Sequence, residues 1–204
     1  WRACVAALLV AAACTATAEL VVRGAIRDYI HSMQSYSTSI GSPAYVSNQA
    51  LSGVVLRLKP GSSLHSWMWF VACGLVLALC LLVLRNLRRD DFLDQLAAFA
   101  CVSLTGLLIS PISWSHHWIV IVVVGVLGLL WADPWLRAAA ATLWVLDLLG
   151  VMWLAEEPPA GVIHGWFGQV FVSNCVAWSA LAFLVISALR TQQLNSTRSL
   201  PRSD

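Results

Sequence analysis

Six stretches of this sequence, near residues 1–22, 67–85, 95–112, 117–132, 136–154 and 168–189, are apolar over a length that can cross a bilayer. A spanning helix takes about 20 residues, or slightly fewer. Lipid offers no partner to an open backbone N–H or C=O, so each stretch is expected to be helical. Composition agrees. Of the 204 residues, 59% are hydrophobic and 11% charged, whereas a soluble domain carries about one-quarter charged residues. The expected fold class is all-α, a polytopic transmembrane helical bundle of six spans over residues 1–190, with a disordered tail at 191–204. A net charge of +2 leaves no footprint for a nucleic-acid partner; the expected surroundings are membrane lipid. The chain opens on Trp1, already inside an apolar run, and is expected to be the C-terminal part of something longer. Glu19 stands where a signal-peptide cleavage site would fall, so no secretory signal is read. Cys4, Cys14, Cys73, Cys80, Cys101 and Cys175 all lie in apolar stretches without a C-x-x-C pair. Buried thiols are expected there, with no disulfide and no zinc.

Charge sets the orientation. The second connection carries Arg85, Arg88 and Arg89, the fourth Arg137, and the tail Arg190, Arg198 and Arg202. The third (110–117) and fifth (155–167) have no Lys or Arg. The positive-inside rule puts the basic segments in the cytoplasm and the first, third and fifth loops outside. Arg23, Arg27, Arg57 and Lys59 oppose this, but they sit in a long connection, 23–66, where the rule weakens. Within that loop Val22, Ile26, Ile30 and Met33 recur at helical spacing, with Arg23 and Arg27 on another face, which reads as an interfacial helix. Leu51, Val54, Val55 and Leu58 mark a second short amphipathic helix, ended by Lys59-Pro60-Gly61.

Polar residues with chemistry to offer gather in two outer loops. Pro111 breaks the incoming helix of the third connection. Ser115 is positioned to cap the outgoing one, which sets His116 and His117 in its first turn. Open N–H groups at a helix start favour an anion. The pair reads as a phosphate-facing edge, as an interfacial Ser/His turn between anchoring tryptophans, or as metal ligands; no metal is expected. Asn48-Gln49 opens the short outer helix. Asn48 fits a plain N-cap, and both amides also suit sugar hydroxyls from an exposed position. Arg57, nine residues after Asn48, is a surface cation or a phosphate ligand. Asp147 falls inside the fifth stretch, where an acid is either functional or satisfied by a neighbouring helix. Asp28 is the sole carboxylate of the long outer loop, and no motif marks it as a base.

Two segments together resemble a known family. Tyr45-Val46-Ser47-Asn48-Gln49-Ala50-Leu51-Ser52-Gly53, with Arg57 following, and Ser110-Pro111-Ile112-Ser113-Trp114-Ser115-His116-His117-Trp118 are similar to glycosyltransferase family 87. These are integral-membrane mannosyltransferases of actinobacteria that use polyprenyl-phosphate mannose. Ala50 stands where the family usually has Ser. The resemblance implies a GT-C fold and sugar transfer from a lipid phosphate on the extracytoplasmic face of the plasma membrane. Inversion at the anomeric carbon and α-1,2 linkages to phosphatidylinositol mannosides, lipomannan or a related glycolipid or lipoglycan acceptor are implied with it. It places His116 and His117 at the chemistry and Asn48, Gln49, Arg57, Ser113 and Trp114 at the lipid-linked donor, with no cofactor and no metal. It also implies a catalytic Asp in an earlier extracytoplasmic loop, for which residues 1–204 offer no replacement. Three rival readings remain: a polyprenyl-phosphate arabinosyltransferase of the same fold, a transporter or channel subunit, and a non-catalytic remnant.

Overall fold

The computed structural model describes the backbone of residues 2–39, 42–58, 63–88, 90–130, 133–155, 163 and 165–198. Their side chains are described except at 3, 4, 33–39 and 193–198. The chain divides into two compact units, residues 1–42 and 43–204.

In the first unit, α1 (Arg2–Val21) exposes Leu8, Leu9 and Val10, as a helix facing lipid does. Thr15 and Thr17 return their hydroxyls to the carbonyls of Ala11 and Ala13, both at 2.8 Å. Gly24, at φ 86°, permits a reversal that side-chain-bearing residues resist. Glu19 then accepts the backbone N–H groups of Gly24 (2.8 Å) and Ile26 (3.0 Å). The carboxylate therefore closes the start of α2 (Ala25–Ser39). That helix is the amphipathic one expected from the periodicity, and it leaves α1 at 105°. Asp28 pairs with Arg27 at 3.5 Å on an exposed face.

The second unit contains α3 (Leu51–Leu58), α4 (His65–Asn86), α5 (Phe92–Ile109), α6 (Ile121–Leu130), α7 (Pro134–Leu148), α8 (Gly165–Phe167) and α9 (Cys175–Arg198). A 3-10 turn, Ser115–Val120, leads into α6; a second, Val151–Ala155, follows α7; a π-helical turn, Gly168–Val172, precedes α9. Helices α4, α5, α6, α7 and α9 close a ring, each packed on the next and α9 back on α4. Leu104, Leu108, Val124, Leu127, Leu143, Phe183 and Leu184 fill its interior. Small residues set the closest approaches. Gly125 faces the Trp144 ring and Gly128 faces Ala140, where an added Cβ would collide. Such contacts substitute for a hydrophobic driving force between helices in lipid. Outward, α4 presents Phe70, Val71, Leu75 and Leu81.

Six spans were expected. Among the described residues three helices are long and apolar enough to cross a membrane, His65–Asn86, Phe92–Ile109 and Cys175–Gln192. A fourth is added if α1 and α2 form one bent span. The apolar runs persist, but the helices within them are cut short. The 117–132 run opens inside the six-residue 3-10 turn Ser115–Val120, leaving α6 ten residues, about 15 Å of rise. The 136–154 run ends its α-helix at Leu148, before Gly150 turns the chain at φ 59°. The 168–189 run starts its helix only at Cys175. Conversely, α9 continues to Arg198, so the order lost in expectation from Thr191 persists for two more turns. Residues 59–62 and 199–204 lie outside the described residues.

One end of the ring is fastened by charge. Asp133 caps α7, accepting from the N–H groups of Trp135 (2.9 Å) and Leu136 (3.1 Å) ahead of Pro134, a favourable start for a helix. Its other oxygen meets Arg190 of α9 at 3.2 Å. The fourth loop and the beginning of the tail therefore share one end. The third loop lies at the other, a helix length away along 115–130.

Candidate active site

Pro111 lacks an N–H, and α5 stops two residues before it, with the Ser110 N–H closing on the Gly106 carbonyl. The chain then runs extended through Trp114 and meets the outer-loop segment ahead of α3. Asn48 and Trp114 form an isolated antiparallel bridge. The Gln49 N–H donates to the Ser113 carbonyl at 3.0 Å. The Ser113 N–H donates to Asn48 Oδ1 at 2.9 Å. Ser47 and Ser115 hydroxyls pair at 3.0 Å, and the Ser52 hydroxyl donates to the Pro111 carbonyl. The two motifs, over sixty residues apart in sequence, are one structure.

Asn48 is not a simple cap. Its Oδ1 also accepts the Ala50 N–H at 3.2 Å, and its Nδ2 donates to the Pro43 carbonyl at 2.8 Å. Gly53 makes this possible, since a Cβ there would lie 2.5 Å from the Asn48 carbonyl oxygen. Ser115 does not cap through its side chain either. Trp114 is the residue before the 3-10 turn, without a side-chain bond, and the Ser115 hydroxyl faces Ser47. The His117 N–H is taken by the Trp114 carbonyl at 2.8 Å. The open α-helical N-terminus expected beneath the histidines is thus a 3-10 turn with part of its donors engaged.

Gln49, expected at the surface, is fully buried. Its Nε2 donates to the carbonyls of Val46 and Ser173, both at 2.7 Å, and its Oε1 accepts the Ala177 N–H at 3.2 Å. Ser113 is also fully buried. Trp114 is half-buried, its ring against Tyr45 at 6.3 Å, and Tyr45 in turn meets Trp153 at 5.9 Å. His116 and His117 are exposed. Their rings sit edge to face with centroids 4.3 Å apart, where one-turn geometry suggested divergence.

Arg57 reaches back from the last turn of α3. Nη1 donates to the carbonyls of Ala44 (3.3 Å) and Tyr45 (2.8 Å), and Nη2 to that of Asn48 (2.9 Å). Nε and Nη2 converge on Asn174 Oδ1 at 2.9 and 2.6 Å. Burial pulls this guanidinium down to about 10, so it stays cationic near neutral pH.

Asn174, Ser173 and Gln169 are site residues that the sequence reading missed. They fall in the 168–189 apolar run, and the polar Ser173-Asn174 pair interrupting it was the available signal. The Asn174 Nδ2 donates to the carbonyls of Gln169 (2.7 Å) and Val170 (3.0 Å). The first and third loops therefore meet the π-helical turn before α9 at one end of the helical ring, opposite the Asp133–Arg190 pair. Asp147 lies half-buried in α7 and stands outside this network. Among the described residues no group of three or more His, Cys, Asp or Glu side chains is gathered to hold a metal ion.

The model of glycosyltransferase family 87 matches residues 1–111. A protein of Mycolicibacterium smegmatis is 31% identical over 174 residues, covering 81% of this chain and 39% of its own length. A protein of Mycobacterium tuberculosis is 32% identical over 179 residues, covering 82% and 39%. Both are named polyprenol-phosphate-mannose-dependent alpha-(1-2)-phosphatidylinositol mannoside mannosyltransferase. A second M. smegmatis protein, a phosphatidylinositol pentamannoside mannosyltransferase dependent on the same donor, is 28% identical over 191 residues, covering 91% and 44%. The chain spans about two-fifths of the length of these relatives. No solved structure matches it.

Proposed function

Because the chain belongs to glycosyltransferase family 87, we propose that it is part of a membrane mannosyltransferase that moves mannose from polyprenyl-phosphate mannose to a phosphatidylinositol mannoside or related lipid acceptor. The observation that carries this reading is the junction of the two motifs. A cation held among neutral oxygens and a pair of exposed imidazoles are built onto one hydrogen-bonded platform. Such a platform suits a leaving phosphate at a membrane surface.

In the reaction the acceptor hydroxyl oxygen bonds to the anomeric carbon. The bond from that carbon to the phosphate oxygen breaks, its electron pair stays on polyprenyl phosphate, and the hydroxyl proton passes to a base. Charge grows on the departing phosphate, so preorganised donors and cations aimed there lower the barrier. His116 and His117, exposed at the platform edge, are assigned to contact that phosphate. Trp114 borders the donor. Arg57 contributes its charge through space, since its N–H groups are engaged within the chain. Asn48, Gln49 and Ser113 hold the platform. The base is assigned to a part of the whole protein outside residues 1–204, as the family resemblance implies. The platform is assigned to the extracytoplasmic side of the plasma membrane. Arg85, Arg88, Arg137 and Arg190 belong to the opposite end.

The test is transfer by the purified full-length protein in detergent or vesicles. Mannose should pass from polyprenyl-phosphate mannose to a phosphatidylinositol mannoside in α-1,2 linkage, and a chelator should leave the rate unchanged. Transfer from the polyprenyl-phosphate arabinose donor alone, or from neither, would remove the proposal.

A further inference from the structure

Asn174 lies beyond the stretch matched by the family model, yet it fixes the orientation of Arg57. Its side chain is fully buried and points both ways. The oxygen takes two guanidinium N–H groups. The amide nitrogen holds the carbonyls of Gln169 and Val170 in the π-helical turn. That turn is closed by the Ser173 N–H on the Gly168 carbonyl at 2.8 Å, and Trp178 Nε1 braces it at Val170 (2.7 Å). Gly168 packs so tightly that a Cβ would lie 2.5 Å from the Ile163 carbonyl oxygen. The acceptor on Arg57 is therefore mounted on a tight, irregular element of the kind often found at functional sites.

An amide suits this place for a chemical reason. A carboxylate of the same shape would also accept from Arg57, but it would cancel the positive charge and lose both bonds to the turn. The remaining acceptors of Arg57 are three backbone carbonyls, equally neutral. We propose that Asn174 is a positioning residue for the departing phosphate, fixing the plane of the Arg57 guanidinium between the 43–48 turn and the π turn while leaving its charge uncancelled. This rests on the mannosyl-transfer reading above.

The test compares wild type, Asn174→Asp, Asn174→Ser, Arg57→Lys and the double variant Asn174→Ser with Arg57→Lys, in the full-length protein. For each, kcat and KM for polyprenyl-phosphate mannose are measured per folded, monodisperse molecule. Asn174→Asp and Asn174→Ser should each lower kcat about tenfold or more with KM for the donor changed about threefold at most, the pattern of a lost transition-state interaction. The double variant should be little worse than its poorer single, as expected for two residues acting as one unit. A folded Asn174→Asp protein with kcat near wild type would overturn the proposal, as would multiplying effects in the double variant. If neither Asn174 variant folds, the residue is structural alone and the proposal falls. If Arg57→Lys does not fold, the Asn174→Asp rate decides. A wild-type protein that transfers no mannose removes both this inference and the transfer reading; an active wild type with an unaffected Asn174→Asp removes only this one.

Discussion

A guanidinium offers five N–H donors, and Arg57 places them on three backbone carbonyls and one amide oxygen. The same economy governs Gln49, whose amide links the outer loop to the start of α9. Truncating it strands the Val46 and Ser173 carbonyls and the Ala177 N–H in a dry interior, and an unsatisfied buried group costs about 1–3 kcal/mol. Gln49→Ala should therefore lower the unfolding free energy of the purified protein by about 2 kcal/mol or more, read as a lower denaturation midpoint. An unchanged midpoint would mean that the amide is not the tie described. Gly53→Ala should be similarly harmful, because the added methyl meets the Asn48 backbone rather than a movable side chain. Its measured stability loss should exceed that of Gly106→Ala, where nothing lies within 4 Å of the new Cβ. The motif residues were legible in sequence, but their burial was not. Asn48 and Gln49 look like surface amides because a polar pair in a loop usually is one. What buries them is a bridge to Trp114 and a bond to Ser173 at 124 residues' separation, and no local pattern encodes either.

At the scale of elements, Pro111 and the short helix 51–58 were readable because helix breaking and amphipathic spacing are local properties. Helix length was not. An apolar run shows where lipid or core will be, but a 3-10 turn and a left-handed Gly150 decide how much of it is α-helix. Asn174 was hidden for the same reason, inside a run that counted as span. The cap of α7 offers a clean check. Asp133→Ala removes the oxygen that accepts from two backbone N–H groups and the pair to Arg190, and should cost about 1–2 kcal/mol of stability. Arg190→Ala should cost less, about 1 kcal/mol or below, since a partly exposed pair contributes little once screened. Chemical denaturation of the two variants measures the difference. Equal losses would show that the ion pair, not the cap, fastens this end.

For the whole molecule, the joined loops divide the second unit into two ends, and sidedness follows by labelling. Single cysteines at Ser63 and Pro111, both exposed, should react with an impermeant reagent on intact cells, in a background with the exposed Cys14 replaced. A cysteine at Asp90 should react only after permeabilisation. The reverse pattern would put the platform in the cytoplasm. The central claim is that the exposed imidazoles meet the leaving phosphate, and single-turnover transfer from polyprenyl-phosphate mannose at saturating donor tests it most directly. His116→Ala and His117→Ala leave the buried platform intact, so both should insert and fold as wild type. At least one should lose about 10²-fold or more in rate, the scale of a group stabilising developing charge. Wild-type rates in both single variants would make the turn a structural junction only and contradict the account.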